Sequence, residues 1–395
     1  MKILITGGAG YLGSVLCSEL VKEHQVVVYD NLMYNQTPLL NLFSNKNFKF
    51  VYGDVRDYSK LSHYVTDADI IIPLAAIVGF PACDRDKDLA TDVNYTQIKN
   101  ILKNSSSDQR IIYPNTNSGY GQQTEGVCVE SQTLTPISHY GVTKCNSENL
   151  ILGECRGITF RFATVFGMSE RMRLDLLVNE FVYKALTDRY ITLFQAHTVR
   201  NYIHVRDVSS VFQFMINNYD ENIGEAFNVG MSDTNLSKRD LTKRIRNYIP
   251  DFVVNESDYY EDPDKRDYIV SNEKIESRGW KPQYSLNSGI KELINGYQII
   301  INKDSSPPEI DWMETNPVLG KVNTHPLEIG EKSGNYYWGN GLGNLDPHFD
   351  DGHEKVSIDE LEDNTYFVLP FGVGGLHSYL GIDGDDAPKQ WGSIF

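Results

Sequence analysis

The chain has 395 residues, 41% of them hydrophobic, and carries a net charge of −17. That length can bury a large core and implies two or more domains. The acidic balance argues against a nucleic-acid backbone or an anionic membrane as partner, and no apolar run is long enough to span a bilayer.

The opening Ile3-Leu-Ile-Thr6-Gly7-Gly8-Ala9-Gly10-Tyr11-Leu12-Gly13 reads as a buried strand, a glycine turn and a helix start. A helix N-terminus offers unpaired N–H groups and partial positive charge, a seat for a diphosphate. In that pattern Gly7 permits the tight turn, Gly10 the approach of phosphate, and Gly13 the packing of helix on strand. A second strand, Gln25–Asp30, ends in an acid about 20 residues after the turn, where a dinucleotide ribose is bound. A carboxylate there accepts from the 2′- and 3′-hydroxyls and repels a 2′-phosphate, so Asp30 points to NAD over NADP.

Further strands are expected at 48–53, 69–75, 110–115 and 157–163, alternating with helical stripes such as Leu12, Val15, Leu16 and Leu20. The alternation predicts an α/β fold: a Rossmann-like doubly wound parallel sheet covered on both faces. After Gly167 the rhythm loosens. A helix around 174–187, strands near 190–194 and 200–205, and helices near 207–218, 237–248 and 286–300 predict a smaller mixed α/β substrate domain woven into the first. The expected division is 1–168, with 200–225 returning to it, then 169–199 with 226–300, and last an acidic extension over 301–395.

That extension holds five Lys/Arg against 17 Asp/Glu, so −12 of the chain's charge resides there. Within it Asn364–Phe371 reads as a strand, and Trp312, Trp338 and Trp391 call for burial. Asp346–His353 has the residue types of a metal site but no ligand template, and a solvated acidic loop is the favoured reading. No metal is expected. Five scattered cysteines (Cys17, Cys83, Cys128, Cys145, Cys155) fit free thiols in a reducing cytoplasm, with no signal peptide ahead of the first strand.

Chemistry enters with Tyr140-Gly-Val-Thr-Lys144, whose i, i+4 spacing puts both side chains on one helix face. A neighbouring ammonium, aided by a positive nicotinamide, would stabilise the phenolate. Thr116, ending the strand from Arg110, offers a hydroxyl to a substrate oxygen at the cleft.

With Gly53-Asp54-Val55, Leu74-Ala75-Ala76, Asn94, Tyr120-Gly121, Arg161-Phe-Ala-Thr-Val-Phe-Gly167 and Arg200-Asn-Tyr-Ile-His-Val-Arg-Asp207, these motifs make residues 1–300 resemble the extended short-chain dehydrogenase/reductase superfamily, in its nucleotide-sugar epimerase/dehydratase branch. The resemblance implies NAD held by Gly7, Gly10, Tyr11, Leu12, Gly13, Asp30, Asn31, Asp54, Val55, Leu74, Ala75 and Ala76, with Tyr140 and Lys144 also touching it. Thr116, Tyr140 and Lys144 are the implied catalytic set. Asn94 would brace the central sheet. A nucleotide-diphosphate sugar would be held by Thr116, Asn117, Thr164, Asn179, Arg200 and Arg266, Thr164 standing where many members carry an asparagine. Arginine suits that work because its fork pairs with two phosphate oxygens. Arg171 and Arg173 either add charge there or are solvated surface. A homodimer is likewise implied by resemblance alone.

Departures narrow the reaction. Members that act as 4,6-dehydratases follow the threonine with Asp-Glu; here Asn117-Ser118 supply no efficient acid or base. Cys83 is a thiol candidate for 3,5-epimerisation, but a buried structural thiol is the better reading. The expectation is 4-epimerisation through a transient 4-keto sugar. A 4-keto reductase or net dehydrogenase is the alternative, and an NAD-sensing scaffold the non-enzymatic one.

Overall fold

Alternation decides the core. Ile3 and Ile5 point to one side of the first strand and Leu4 to the other, and in the computed structural model each side has its own apolar cluster. The structure describes residues 1–302, apart from Gln36, Cys155 and 258–265, together with three short segments at 330–332, 335–338 and 354–356. Two units result, Met1–Asp304 and Ser305–Phe395.

In the first unit seven parallel strands form one sheet, in the order Ala226–Val229, Gly157–Phe162, Arg110–Thr116, Ile70–Pro73, Lys2–Thr6, Gln25–Asp30, Phe48–Tyr52. Strand order reverses between Lys2–Thr6 and Ile70–Pro73, so a crevice opens beyond their carboxyl ends. One face packs on helices Tyr11–Leu20 and Val205–Asn217 through Leu16, Leu20, Val208 and Phe212. The other packs on Tyr58–Thr66, Gln97–Asn104 and His139–Gly153 through Leu61, Val65, Ile98, Ile101 and Ile151.

A third apolar cluster, with Val178, Phe181, Leu193, Leu241, Phe252, Ile290 and Tyr297 fully or nearly buried, joins helices Leu177–Thr187, Lys238–Arg246 and Leu286–Asn302 to the parallel pair Tyr190–Phe194 and Val253–Ser257. Two details correct the sequence reading. Strand Ala226–Val229, which that reading gave to the smaller domain, is the edge of the large sheet, and Ile275 and Trp280 pack into the large-sheet core. Its four residues carry no periodicity of their own; register against Gly157–Phe162 makes them a strand. The single strand expected at 200–205 is two. Val199–Arg200 pairs antiparallel with Leu236–Ser237, and Tyr202–His204 pairs parallel with Thr164–Phe166.

Helix His139–Gly153 starts where the Ser138 hydroxyl accepts from the Gly141 amide at 3.1 Å. That start phases Tyr140, Lys144 and Glu148 onto one stripe. Glu148 is buried and pairs with Arg161 of the sheet at 2.7 Å. It also accepts from Asn115 Nδ2 at 2.7 Å and Thr159 Oγ1 at 2.9 Å. Arg161 donates onward to the Tyr120 hydroxyl, which donates to Asn228 Oδ1 at 2.7 Å. Asn94 sits in a wider π-turn, Asp92–Thr96. It bonds both backbone groups of Ile77 and donates to Thr143 of the same helix, bracing the chain beyond strand Ile70–Pro73.

In the second unit Gly330–Lys332, Asn335–Trp338 and Glu354–Val356 form an antiparallel sheet. The strand expected at Asn364–Phe371, Trp312, Trp391 and Asp346–His353 lie outside the described residues, as does the Trp338 side chain. Among the described residues no helix is long and apolar enough to cross a membrane.

Removing one member of a buried ion pair strands the other. Glu148→Gln or Arg161→Met should therefore each lower unfolding free energy by about 3–5 kcal/mol, read as a lower urea midpoint at unchanged slope. The double variant Glu148→Met/Arg161→Leu should recover part of that loss. Single variants as stable as wild type would remove the pair from its structural role.

Candidate active site

The glycine turn is built by close approach. A Cβ at Gly7, where φ is +71°, would lie 2.5 Å from the Ala75 backbone, and one at Gly13 would lie 2.6 Å from that of Gly8. Helix Tyr11–Leu20 begins at Gly10 without a side-chain cap, so its first-turn amides have no intrahelical acceptor. Asp30 is held at the rim: Ala9 N–H donates to one carboxylate oxygen at 3.0 Å and Leu32 N–H to the other at 2.8 Å. Burial pushes the Asp30 carboxyl up in pKa while those two amides pull it down. Asp54 is gripped by both arms of Arg56 at 2.8–2.9 Å and receives Asn31 Nδ2 at 3.2 Å. The Arg56 guanidinium holds Asp54 at about 2.

All twelve cofactor candidates from Gly7 to Ala76 line one cleft of about 910 Å³, and Thr116, Tyr140, Lys144, Thr164, Arg200 and Arg266 line it too. Two candidates do not reach it. Asn117 is buried with both side-chain polar atoms unpartnered. Asn179 is fully buried because helix Leu177–Thr187 turns it inward, where it accepts from Gly167 N–H and donates to the Tyr11 hydroxyl and Arg173 carbonyl. It positions neighbours of the cleft instead of lining it.

Ser118, read in the sequence only for its lack of acidity, also lines the cleft. Its hydroxyl accepts from Thr116 Oγ1 at 2.9 Å and from Arg266 Nη1 at 2.5 Å, while its amide donates to Thr116 Oγ1. Thr116 and Arg266 thus share one bridge. Arg200 is buried and donates to the carbonyls of Val199 and Arg266. Lys238, Tyr268, Arg171 and Arg173 complete a cation-rich wall. Cys83 is buried outside the cleft, its thiol donating to the Ile77 carbonyl and pushed up to about 11 by burial.

The Tyr140–Lys144 pair departs from expectation in its electrostatics. Burial pushes the Tyr140 phenol up to about 12, and the cations that oppose this are Arg173 and Arg266, not Lys144. Burial pulls the Lys144 ammonium down to about 7. Its Nζ lies 4.0 Å from the Tyr113 ring centroid, a face that favours the charged form.

A dinucleotide fits this chain: the tight glycine turn brings a helix N-terminus with uncapped amides to the cleft, and Asp30 stands at the strand end. Residues 3–230 match the NAD dependent epimerase/dehydratase family. Over 309 residues the chain is 26% identical to the low-salt glycan biosynthesis protein Agl12 of Haloferax volcanii, covering 75% of this chain and 98% of that protein. It is 24% identical over 402 residues to a trifunctional UDP-glucose 4,6-dehydratase/UDP-4-keto-6-deoxy-D-glucose 3,5-epimerase/UDP-4-keto-L-rhamnose-reductase of Arabidopsis thaliana, covering 93% of this chain but 55% of that longer protein. Its fold resembles that of UDP-glucuronic acid 4-epimerase from Bacillus cereus, solved with UDP-glucuronic acid and NAD, at TM-score 0.67 and 24% identity over 76% of this chain and 100% of that one. The chain belongs to the NAD-dependent epimerase/dehydratase family of nucleotide-sugar enzymes, and NAD is its cofactor.

Proposed function

We propose that the protein is a nucleotide-sugar 4-epimerase working through a transient 4-keto sugar. The observation that carries this reading is the convergence of Thr116, Tyr140 and Lys144 on the cleft of the glycine turn, without an acid–base pair at 117–118. NAD, when bound, supplies reversible hydride acceptance at C4. Tyr140 takes the O4 proton and later returns it, and Thr116 donates a hydrogen bond to a substrate oxygen. Between the two transfers the 4-keto sugar turns to present its other face. Arg200 and Arg266 hold the substrate diphosphate.

Burial opposes a lone phenolate or a lone ammonium, and both shifts at Tyr140 and Lys144 have that cause. A phenolate beside an ammonium avoids much of that cost, because their attraction is strong in the same low-dielectric pocket. Arg173 and Arg266 add standing positive charge toward the phenol.

Purified protein with UDP- and GDP-hexoses, analysed by NMR, should give inversion at C4 without added cofactor. Stoichiometric loss of NADH would instead support a reductase, and loss of the 6-hydroxyl a dehydratase. Tyr140→Phe should lower kcat by about 10²–10⁴-fold with sugar-nucleotide binding retained. Unchanged turnover in the variant would remove Tyr140 as the base, and full NAD binding with no turnover in either protein would favour a scaffold.

A second outcome follows from Lys144. With ε-¹⁵N-labelled lysines and no added NAD, one resonance should titrate near 7, protonated below and neutral above, while exposed lysines stay charged to about pH 10. Lys144→Met should delete that titration. Its persistence in the variant, or its absence from wild type, would contradict the burial argument.

A further inference from the structure

The segment after Gly167 is strapped onto the first turn of the dinucleotide helix. Tyr11 donates its phenolic proton to the Gly167 carbonyl at 2.6 Å, and Ser169 Oγ donates to the Tyr11 carbonyl at 2.8 Å. Ser14 and Ser169 hydroxyls lie 2.9 Å apart. Two residues further on is Arg171. It is only 8% exposed, yet its Nε is buried without a hydrogen-bond partner and it forms no ion pair among the described residues. Arg173, by contrast, is paired with both oxygens of Asp175.

The Arg171 guanidinium lies 4.3 Å from the centroid of the Tyr34 ring, and both residues line the cleft. Tyr34 follows strand Gln25–Asp30, in a loop where Leu32 and Asn35 both adopt positive φ. Electrostatically the cation faces Asp30 and Asp175, with Arg173 as its like-charged neighbour. A buried guanidinium is costly unless its donors are met, and the polar partner such a planar fork suits best is a carboxylate or phosphate.

We propose that Arg171 binds a phosphate oxygen of the NAD diphosphate and, stacked on Tyr34, latches the cofactor in its groove. The strap from Ser169 holds it beside the helix start, and Tyr34 places it toward the Asp30 end of the cleft, away from the Thr116–Ser118–Arg266 bridge. Cofactor phosphate is therefore favoured over substrate phosphate. A slow-release latch suits the proposed redox-neutral cycle, in which losing reduced cofactor would strand the keto sugar.

The test uses the full chain, freed of bound nucleotide, as wild type, Arg171→Gln, Arg171→Lys and Tyr34→Ala. Calorimetry gives Kd for NAD, adenosine and UDP, and stopped-flow dilution gives the NAD release rate. Arg171→Gln should weaken NAD by about tenfold or more, chiefly through faster release, and reduce its salt sensitivity. Adenosine and UDP should change by less than about twofold, since neither meets the guanidinium. Arg171→Lys should be intermediate, and Tyr34→Ala should speed release less than Arg171→Gln. Unchanged NAD affinity overturns the proposal. So does an equal loss for adenosine, which marks a folding effect, or a loss confined to UDP, which marks a substrate contact. Failure of wild type to bind NAD would strike the cofactor assignment itself.

Discussion

The buried pair between Glu148 and Arg161 is the constraint on which the site depends. Two charges taken out of water cannot part without leaving one uncompensated, so the helix bearing Glu148 has one stable position on the sheet. Asn115 and Thr159 occupy one Glu148 oxygen, and Tyr120 ties Arg161 to Asn228 on the edge strand. Tyr140 and Lys144 stand on the same stripe, about two turns and one turn nearer the helix start respectively. Fixing residue 148 therefore fixes where the phenol and amine meet the cleft.

The second organising feature is the separation of charge. A chain of net −17 gathers Arg171, Arg173, Arg200, Lys238 and Arg266 around one cleft, beside a helix N-terminus. Such a concentration in low-dielectric walls focuses a positive potential that a uniformly acidic surface would not. It suits a cavity that receives the diphosphate of NAD. Burial at the same place moves Tyr140 and Lys144 in opposite directions from their usual pKa values, each toward its neutral form, and Arg173 and Arg266 are the cations that oppose this at the phenol.

Elements with their own hydrophobic period were legible along the chain. The glycine turn, the six expected strands between 2 and 163 and the closing helix after Leu286 agree with the expected spans to within a few residues, whereas strand Gln122–Cys128, made by pairing with Asp267–Val270, was not expected. What escaped was short or set by a partner: strand Ala226–Val229, the π-turn around Asn94, and the division of 200–205 between two sheets. Asn117 and Asn179 followed motif position into the substrate list, yet helix and turn phase bury both beside the cleft. Ser118 was read only for its lack of acidity, and Arg171 only as added charge near the diphosphate or as solvated surface. A hydroxyl bridging Thr116 to Arg266, or a guanidinium set on the Tyr34 ring with its Nε unbonded, is a statement about neighbours remote in the chain.

By itself, then, the amino-acid order determined the fold class, the dinucleotide turn with its acidic ribose end, and the Tyr/Lys stripe, because each is carried by local spacing. Tertiary structure alone decided which cations face the phenol, which asparagines are walled off, and which arginine has its Nε buried without a hydrogen-bond partner among the described residues. Those outcomes come from desolvation and from contacts between segments far apart in the chain, and no window of sequence contains them.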